Sequence, residues 1–234
     1  MYLFAEFIPD AGHLTLSGEE AHHMLHVLRM KQGDPVFLLD GKGRKASAHL
    51  LDVLKKEAIL QIDEVQQQQT ENPATLSLAV CPTKNADRME WLVEKAVEAG
   101  VGELYFIESA RTERGRINVE RIRKIAHAAL KQSGRLWLPQ LHGLISFKEH
   151  LQRLPEGMNQ WIAYCLEGEK TTIAEARKQG GKHHILIGPE GDFNPDEIKF
   201  ALEKGIRPLS LGQTRLRTET AALLVSFAFS DCLE

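Results

Sequence analysis

Cysteine is scarce in this sequence, and the few cysteines present exclude two kinds of small-domain scaffold. The 234 residues contain three cysteines, Cys81, Cys165 and Cys232, with no Cys-x-x-Cys pair among them. An odd number of widely spaced thiols argues against a disulfide framework and against a zinc ribbon. We therefore expect reduced thiols that fill the core.

Long apolar runs and a secretory leader are also missing. No apolar stretch approaches the roughly 18 to 20 residues that a membrane-spanning helix needs. The first six residues, MYLFAE, lack the basic region and the small-residue cleavage site of a signal peptide. We therefore expect a cytoplasmic protein with no membrane partner.

Positive charge is in slight deficit overall, but it is concentrated locally. The net charge of −3 argues by itself against nucleic-acid binding, because phosphate contacts need lysine and arginine. Residues 111–135, in contrast, carry eight basic side chains and two acidic ones, and a smaller basic group lies at residues 29–45. Two interpretations stay open, an RNA-binding surface and ordinary solvated faces. The residues selected as RNA contacts are Arg29, Lys31, Arg44, Arg111, Arg114, Arg116 and Arg135.

The first 65 residues predict a small, mostly antiparallel barrel. Strands are expected at residues 2–8, 36–40, 46–54 and 57–65. Ser17 and Glu20 have the spacing of a capping box, which predicts one helix running to about Leu28. The polar stretch 66–73, rich in glutamine and ending in proline, is typical of a linker. We place the domains at 1–68 and 74–234.

The second part alternates between strand and helix patterns, which predicts an α/β fold with a mainly parallel sheet covered on both faces. Strands are expected at residues 76–80, 104–107, 161–165 and 184–187, and helices at 87–99, at 119–131, after Asn194 and at 219–233. Apolar spacing in the first of these helices predicts that Trp91 belongs to the core.

Two glycine-bearing loops follow predicted strands, where open α/β sheets bind ligands. The first is at residues 185–193, in which Gly188 and Gly191 let a ligand approach the backbone. The second runs from residue 209 to 221. Neither loop is a phosphate-binding Walker loop or a dinucleotide fingerprint, which disfavours a nicotinamide-dependent oxidoreductase. Simple strand-to-helix turns remain the alternative.

Both loops, and several other segments, resemble one known family. The loop strings are LIGPEG at 186–191, LSLG at 209–212 and LRTETA at 216–221. Further matching strings lie at residues 23–34, 87–96, 111–114 and 132–135, so the matches span nearly the whole chain in order. The sequence thus resembles the RsmE family, SPOUT-class enzymes that methylate N3 of a uridine in small-subunit ribosomal RNA.

The resemblance implies a fold, a cofactor and partners. The expected architecture is a small PUA-like β-barrel followed by a SPOUT methyltransferase domain with a C-terminal trefoil knot. The knot loops would bind S-adenosylmethionine, the knotted face would form a homodimer, and the substrate would be small-subunit ribosomal RNA, free or in the assembled subunit. The implied cofactor contacts are Leu166, Ile187, Gly188, Glu190, Gly191, Leu211, Gly212, Leu216 and Arg217.

Two positions depart from the family pattern. Asp192 stands where a second glycine is usual, which leaves the shape of the cofactor loop open. Lys131 stands where glutamate is usual, which would strengthen a basic RNA surface.

The implied chemistry selects two catalytic residues and no metal. N3 of uridine carries a proton, so methylation needs that proton removed and the uracil anion stabilised. Arg217 would supply positive charge, and Glu219 would orient Arg217 or act as the base; a structural ion pair between the two is the alternative. His22 and His26 have the spacing to share a metal, but no third ligand accompanies them.

Other functions stay open on the sequence alone. The nearest is a SPOUT enzyme acting on another RNA position. A second is a nonenzymatic RNA-binding or ribosome-assembly factor that retains the fold. Trp137, beside a basic segment, is the tryptophan best suited to stack on RNA bases.

Overall fold

The computed structural model describes residues 2–67, 72–113 and 116–230, and these form two compact units. The first unit comprises the described residues of Met1–Pro73 together with His127–Leu138. The second comprises those of Ala74–Ala126 and Pro139–Glu234. No sequence pattern indicated that residues 127–138 pack with the first unit. The domain boundaries drawn from the sequence stay a prediction about independently folding parts.

The first unit is built on a five-stranded sheet in the order β1-β3-β4-β5-β2. Its strands are β1 (Tyr2–Phe4), β2 (Gly12–Leu16), β3 (Pro35–Leu39), β4 (Arg44–Leu54) and β5 (Glu57–Gln67). All neighbours are antiparallel except β1 and β3, so the sheet is mostly antiparallel as predicted. Strand β2 was not predicted, and β1 ends earlier than residue 8. The side chains of Leu3, Leu38 and Leu60 are fully buried in the core of this unit.

The helix predicted near the N-terminus differs from its prediction in how it begins. Helix α1 (Gly18–His22) continues as one π-helical segment, His23–Val27. Ser17 precedes the helix without a side-chain capping bond, so the predicted capping box is wrong. The Glu20 carboxylate instead accepts the Phe4 amide (3.2 Å) and pairs with Lys131. The Glu20 carboxylate, which a capping box would have used, is thus engaged in a tertiary ion pair.

The second unit contains a seven-stranded sheet in which every neighbouring pair is parallel, as predicted. The order is β10-β12-β9-β11-β6-β7-β8. The strands are β6 (Leu76–Val80), β7 (Glu103–Glu108), β8 (Gln140–Ser146), β9 (Met158–Ala163), β10 (Thr171–Thr172), β11 (Lys182–Ile187) and β12 (Arg207–Ser210).

Six helices connect or follow these strands in the described part of the second unit. They are α2 (Ala86–Ala99), α3 (Val119–Ser133, whose last residues belong to the first unit), α4 (Phe147–Gln152), α5 (Ile173–Arg177), α6 (Pro195–Glu203) and α7 (Thr218–Ala228). The cap predicted for α6 is present as a full capping box between Asn194 and Glu197. Strands β8, β10 and β12 and helices α4 and α5 were not predicted. None of the described helices is long and apolar enough to cross a membrane.

Trp91 corrects the sequence prediction for α2. Its side chain is 41% exposed, whereas Leu92 and Val93 are fully buried. The buried stripe of the helix therefore passes beside Trp91, and the indole faces outward. Apolar spacing alone did not show where that stripe ends.

The chain path after β12 brings three loops to one edge of the sheet. Strands β9, β11 and β12 are neighbours and end at Ala163, Ile187 and Ser210. The chain then returns across the sheet to α7, which packs on α2, β6 and β11. The buried Thr218 hydroxyl donates to the Gly188 carbonyl (3.0 Å), which ties the start of α7 to the loop after β11. The C-terminal trefoil knot itself stays a prediction.

Candidate functional site

A cavity of about 310 Å³ lies at the carboxyl ends of β9, β11 and β12. This volume is at the lower end of the range for small-molecule sites, about 300–1,000 Å³. The walls come from the three loops described above, with residues 163–165, 187–192 and 209–216, and from Lys170, Thr218 and Ala221.

Most of the predicted cofactor residues meet in this cavity. Those that line it are Ile187, Gly188, Glu190, Gly191, Leu211, Gly212 and Leu216. Two others do not line it. Leu166 is 48% exposed and lies just beyond residues 163–165 in the loop after β9. Arg217 is an exposed residue at the N-cap of α7. The sequence reasoning missed Tyr164 and Lys170, which carry no motif of their own.

Glycine is required at two points of the cavity wall. A Cβ at Gly188 would lie 3.1 Å from the Phe193 amide nitrogen and 3.1 Å from the buried Phe193 ring. Gly212 has a φ of +116°, in the region that favours glycine. A side chain at either position would therefore strain one of the loops that form the cavity.

Contacts from outside fix the loop after β11. The Lys84 amide donates to the Glu190 carboxylate (3.0 Å), and the Arg111 guanidinium donates to the Gly191 carbonyl (2.7 Å). Arg111, selected from the sequence as an RNA contact, thus holds the cavity loop in this structure.

Asp192 gives this loop its shape. Its φ of +64° is in the left-handed region, which aspartate tolerates better than most residues. One carboxylate oxygen accepts the Cys165 amide (2.8 Å), and the other accepts the Phe193 amide (2.8 Å). Asp192, at the position where glycine is usual, therefore joins the loop after β11 to the loop after β9.

The loop after β9 is closed by Lys170. Its ammonium donates to the carbonyls of Tyr164 (2.8 Å) and Leu166 (2.5 Å) and lies 4.5 Å from the centre of the Tyr164 ring. Burial, with a smaller contribution from the Asp192 charge, raises the pKa of the Tyr164 hydroxyl above its ordinary value. The phenol therefore stays neutral at physiological pH.

Glu219 is not paired with Arg217. Its carboxylate lies 3.3 Å from the guanidinium of Arg88 on α2, and the residue is only 7% exposed. The Oε2 atom of Glu219 is buried without a hydrogen-bond partner in the described part of the chain. The alternative of an Arg217–Glu219 ion pair is therefore wrong. Arg88 was missed as a partner, although it lies in the 87–96 segment that carried the family resemblance.

Comparisons with known proteins identify the family. The family model described as an RNA methyltransferase domain matches residues 70–230, and the one described as an RNA methyltransferase PUA domain matches residues 16–63. Ribosomal RNA small subunit methyltransferase E of Bacillus subtilis is 29% identical, over 95% of this chain and 91% of its own length. The chain belongs to the RsmE family of RNA methyltransferases.

Solved structures agree with this membership. A probable rRNA methyltransferase from Porphyromonas gingivalis is 36% identical, with a TM-score of 0.89, and the match covers 100% of this chain and 99% of that one. Ribosomal RNA small subunit methyltransferase E from Neisseria gonorrhoeae, solved bound to S-adenosylmethionine, is 28% identical with a TM-score of 0.86 over 97% and 95% of the two chains. The SPOUT fold class, with an N-terminal PUA domain, is confirmed.

The predicted RNA contacts of this RsmE member fall into different settings. In the first unit, Arg29 and Lys31 are exposed, Arg135 is half-buried, and Arg44 pairs with Asp10. In the second unit, Arg116 is exposed, as is the Arg111 already described. Arg114 lies outside the described residues. Their contact with RNA stays a prediction.

Two other expectations about the RNA surface change. Lys131 pairs with Glu20, so it does not strengthen the basic surface as the departure from the RsmE pattern suggested. The Trp137 ring packs over Gly43, where a Cβ would lie 2.4 Å from the indole. The indole therefore has a packing role within the first unit, and its stacking on RNA stays a prediction.

His22 and His26 lie side by side, with ring centroids 4.8 Å apart. Within residues 2–67, 72–113 and 116–230, no group of three or more histidine, cysteine, aspartate or glutamate side chains could hold a metal ion.

Proposed function

We propose that this protein transfers a methyl group from S-adenosylmethionine to N3 of a uridine in small-subunit ribosomal RNA. The cavity after β9, β11 and β12 carries the proposal, because it is formed by the loops that resemble the RsmE cofactor loops. Membership of the RsmE family and the cofactor bound in the Neisseria relative support it. Such a role would place the protein in the cytoplasm.

The cavity suits an adenosine-bearing ligand. Ile187, Leu211 and Leu216 give it apolar surface, and Gly188 and Gly212 add no side chain to its wall. When bound, S-adenosylmethionine supplies an electrophilic methyl group on a sulfonium. The chain's own contribution is to hold that methyl in line with the uracil nitrogen, which is a large part of the acceleration in a two-substrate reaction.

Arg217 is the residue we assign to the uracil anion. It lies at the N-cap of α7, directly between the cavity residues Leu216 and Thr218, and its side chain is exposed to an incoming base. A guanidinium there would stabilise the negative charge that develops when N3 loses its proton. Glu219, buried against Arg88 and absent from the cavity wall, fits a positioning role better than that of base.

Methyl transfer tests the proposal. Purified protein, labelled S-adenosylmethionine and small subunits from a strain lacking this gene should yield N3-methyluridine in nucleoside mass spectrometry. Naked ribosomal RNA, assayed in parallel, shows whether the assembled subunit is required. We expect Arg217→Ala to bind the cofactor normally but to transfer about tenfold to a hundredfold more slowly. Arg177→Ala, which removes an exposed arginine on α5, should transfer at the normal rate.

Other outcomes decide between the alternatives. Label in a different nucleoside would retain the methyltransferase and overturn the uridine assignment. A protein that neither binds the cofactor nor transfers a methyl group would favour a nonenzymatic RNA-binding factor.

We also propose that the protein works as a homodimer through α2 and α7. These helices pack together and expose Trp91 and Leu224, which are 41% and 37% accessible. We expect Trp91→Glu to sediment as a monomer, because a carboxylate would be buried at the interface. Leu202→Glu, at a similarly exposed site on α6, should leave a dimer intact. A wild-type protein that sediments as a monomer at micromolar concentration would contradict the proposal.

A further inference from the structure

The Asp192 carboxylate lies in the cavity wall and forms no ion pair with a described residue; the Arg111 guanidinium binds the neighbouring Gly191 carbonyl instead. Its carboxylate is half-buried and accepts two backbone amides, those of Cys165 and Phe193. Among the described residues, no lysine, arginine or histidine lies within ion-pairing distance of it. Amide bonds fix the position of this charge, but they leave it as a net negative charge.

The backbone at Asp192 does not require aspartate. Its φ of +64° is one that glycine adopts without steric cost, whereas the Cβ of an L-residue is crowded there. The two charge-assisted amide bonds offset that cost. The carboxylate is thus both tolerated and held rigidly where the loop meets the cavity.

Other charged groups of the cavity leave this anion in place. The Lys170 ammonium is bound by the Tyr164 and Leu166 carbonyls, and Glu190, bound to the Lys84 amide, adds further negative charge. The remaining cavity cation, Arg215, is exposed to solvent. A ligand in the cavity therefore meets a fixed negative charge in the wall.

We propose that Asp192 makes the cavity select the cationic methyl donor over its neutral product. This inference rests on the proposed function. When the S–CH₃ bond breaks, sulfur keeps the electron pair and becomes a neutral thioether, while the methyl bonds to uracil N3, which has lost its proton to solvent. S-adenosylmethionine and S-adenosylhomocysteine thus differ by one positive charge as well as one methyl. An anion in the cavity wall favours S-adenosylmethionine and lets S-adenosylhomocysteine dissociate.

Binding of three ligands to matched variants tests this. The ligands are S-adenosylmethionine, neutral S-adenosylhomocysteine and sinefungin, in which a cationic amine replaces the methylsulfonium. Calorimetry on wild type, Asp192→Asn and Asp192→Gly gives each affinity. Asp192→Asn keeps the size of the side chain, and Asp192→Gly relieves the backbone. We expect both variants to lower the preference for each cationic ligand over S-adenosylhomocysteine by about fivefold to tenfold, as for one partly screened charge pair.

A control and the contrary results separate the explanations. Asp196→Asn removes an equal charge from an exposed position in the first turn of α6 and should leave the preference unchanged. Equal losses for all three ligands would overturn the inference and leave Asp192 a purely structural residue. Wild-type protein that binds none of the three would instead contradict the proposed function.

Discussion

Lowering the pH from 7 to 4 is expected to cost the folded protein about 3 kcal/mol or more of its free energy of unfolding, through two buried histidines. His150 on α4 and His184 on β11 are both fully buried. Their Nε2 atoms lie 2.8 Å apart, and His184 Nδ1 lies 2.9 Å from the Ser77 hydroxyl. One proton serves the Nε2–Nε2 contact, and the buried Nδ1 atom of His150 has no hydrogen-bond partner among the described residues, so a second proton on this ring would have nothing to bind.

Burial is the main cause of the effect. It lowers the pKa of His150 from 6.5 to about 4, and the neighbouring His142 lowers it further. It also lowers the pKa of His184 well below 6.5, with smaller contributions from His150 and His142. Tyr105, which stacks on His142 and contacts both buried rings, stays neutral because burial and Glu103 raise its pKa. Among the described residues, no carboxylate forms an ion pair with either buried histidine, and the Glu103 carboxylate pairs with His142.

The direction of the change in stability with pH follows from which state of the protein, folded or unfolded, binds more protons. In the unfolded chain both histidines protonate near pH 6.5, while the folded protein keeps them neutral. Their contribution to stability is therefore complete above about pH 6.5 and is lost as the pH falls. For His150 the loss continues until about pH 4, where the folded form also takes up a proton. A depression of the pKa from 6.5 to about 4 corresponds to about 3 kcal/mol.

Urea unfolding between pH 7 and pH 4 measures this loss. His150→Leu should show a shallower decline than wild type, because one of the two proton-binding differences is gone. His13→Asn, which removes an exposed histidine of the first unit, should decline like wild type. An equally steep decline in His150→Leu would show that other groups cause the acid sensitivity.

Replacing Arg88 with alanine is expected to lower the free energy of unfolding by about 3 kcal/mol. The change would leave the Glu219 carboxylate, 7% exposed, without its cation. Its Oε2 atom already has no hydrogen-bond partner among the described residues, so nothing nearby replaces the guanidinium. The expected loss lies at the lower end of the range for breaking a buried ion pair, because the Arg88 side chain is 37% exposed.

A double variant distinguishes a lost pair from a lost arginine. Arg88→Met combined with Glu219→Leu removes both charges and keeps apolar volume, so we expect it to be nearly as stable as wild type. If Glu219 only positions α7, the double variant should also retain much of the methyl transfer. A stable double variant with abolished transfer, and an altered pH–rate profile in Glu219→Gln, would restore Glu219 as the base.

Local patterns predicted the elements whose formation depends on neighbours in sequence. Strand β6 was predicted at its observed bounds because a short, mostly apolar run is buried on both faces of a parallel sheet. Helix α6 was predicted because Asn194 and Glu197 satisfy its first amides within one turn. The two glycine-bearing loops of the cavity were also located from contiguous residues, whereas the individual cofactor residues in them came from the family resemblance.

Predictions failed where a residue's partner comes from elsewhere in the chain. Glu20 has the spacing of a capping box, but its carboxylate is bound by Lys131, which is 111 residues away in the sequence. Arg217 and Glu219 are two residues apart, yet the cation beside Glu219 comes from α2. Trp91 fits an apolar helix pattern, but its exposure depends on where neighbouring elements end.

The sequence by itself determined the alternation of strands and helices, the two glycine-bearing loops and, through resemblance, the family and the chemistry to expect. Hydrogen bonds within a turn and apolar periodicity are properties of contiguous residues, so they can be read without a structure. Only the tertiary structure decided that Asp192 joins two cavity loops, that Arg111 holds one of them, and that Arg88 neutralises Glu219. These contacts join side chains to groups 27 to 131 residues away, and they form only once the chain has returned across its own sheet.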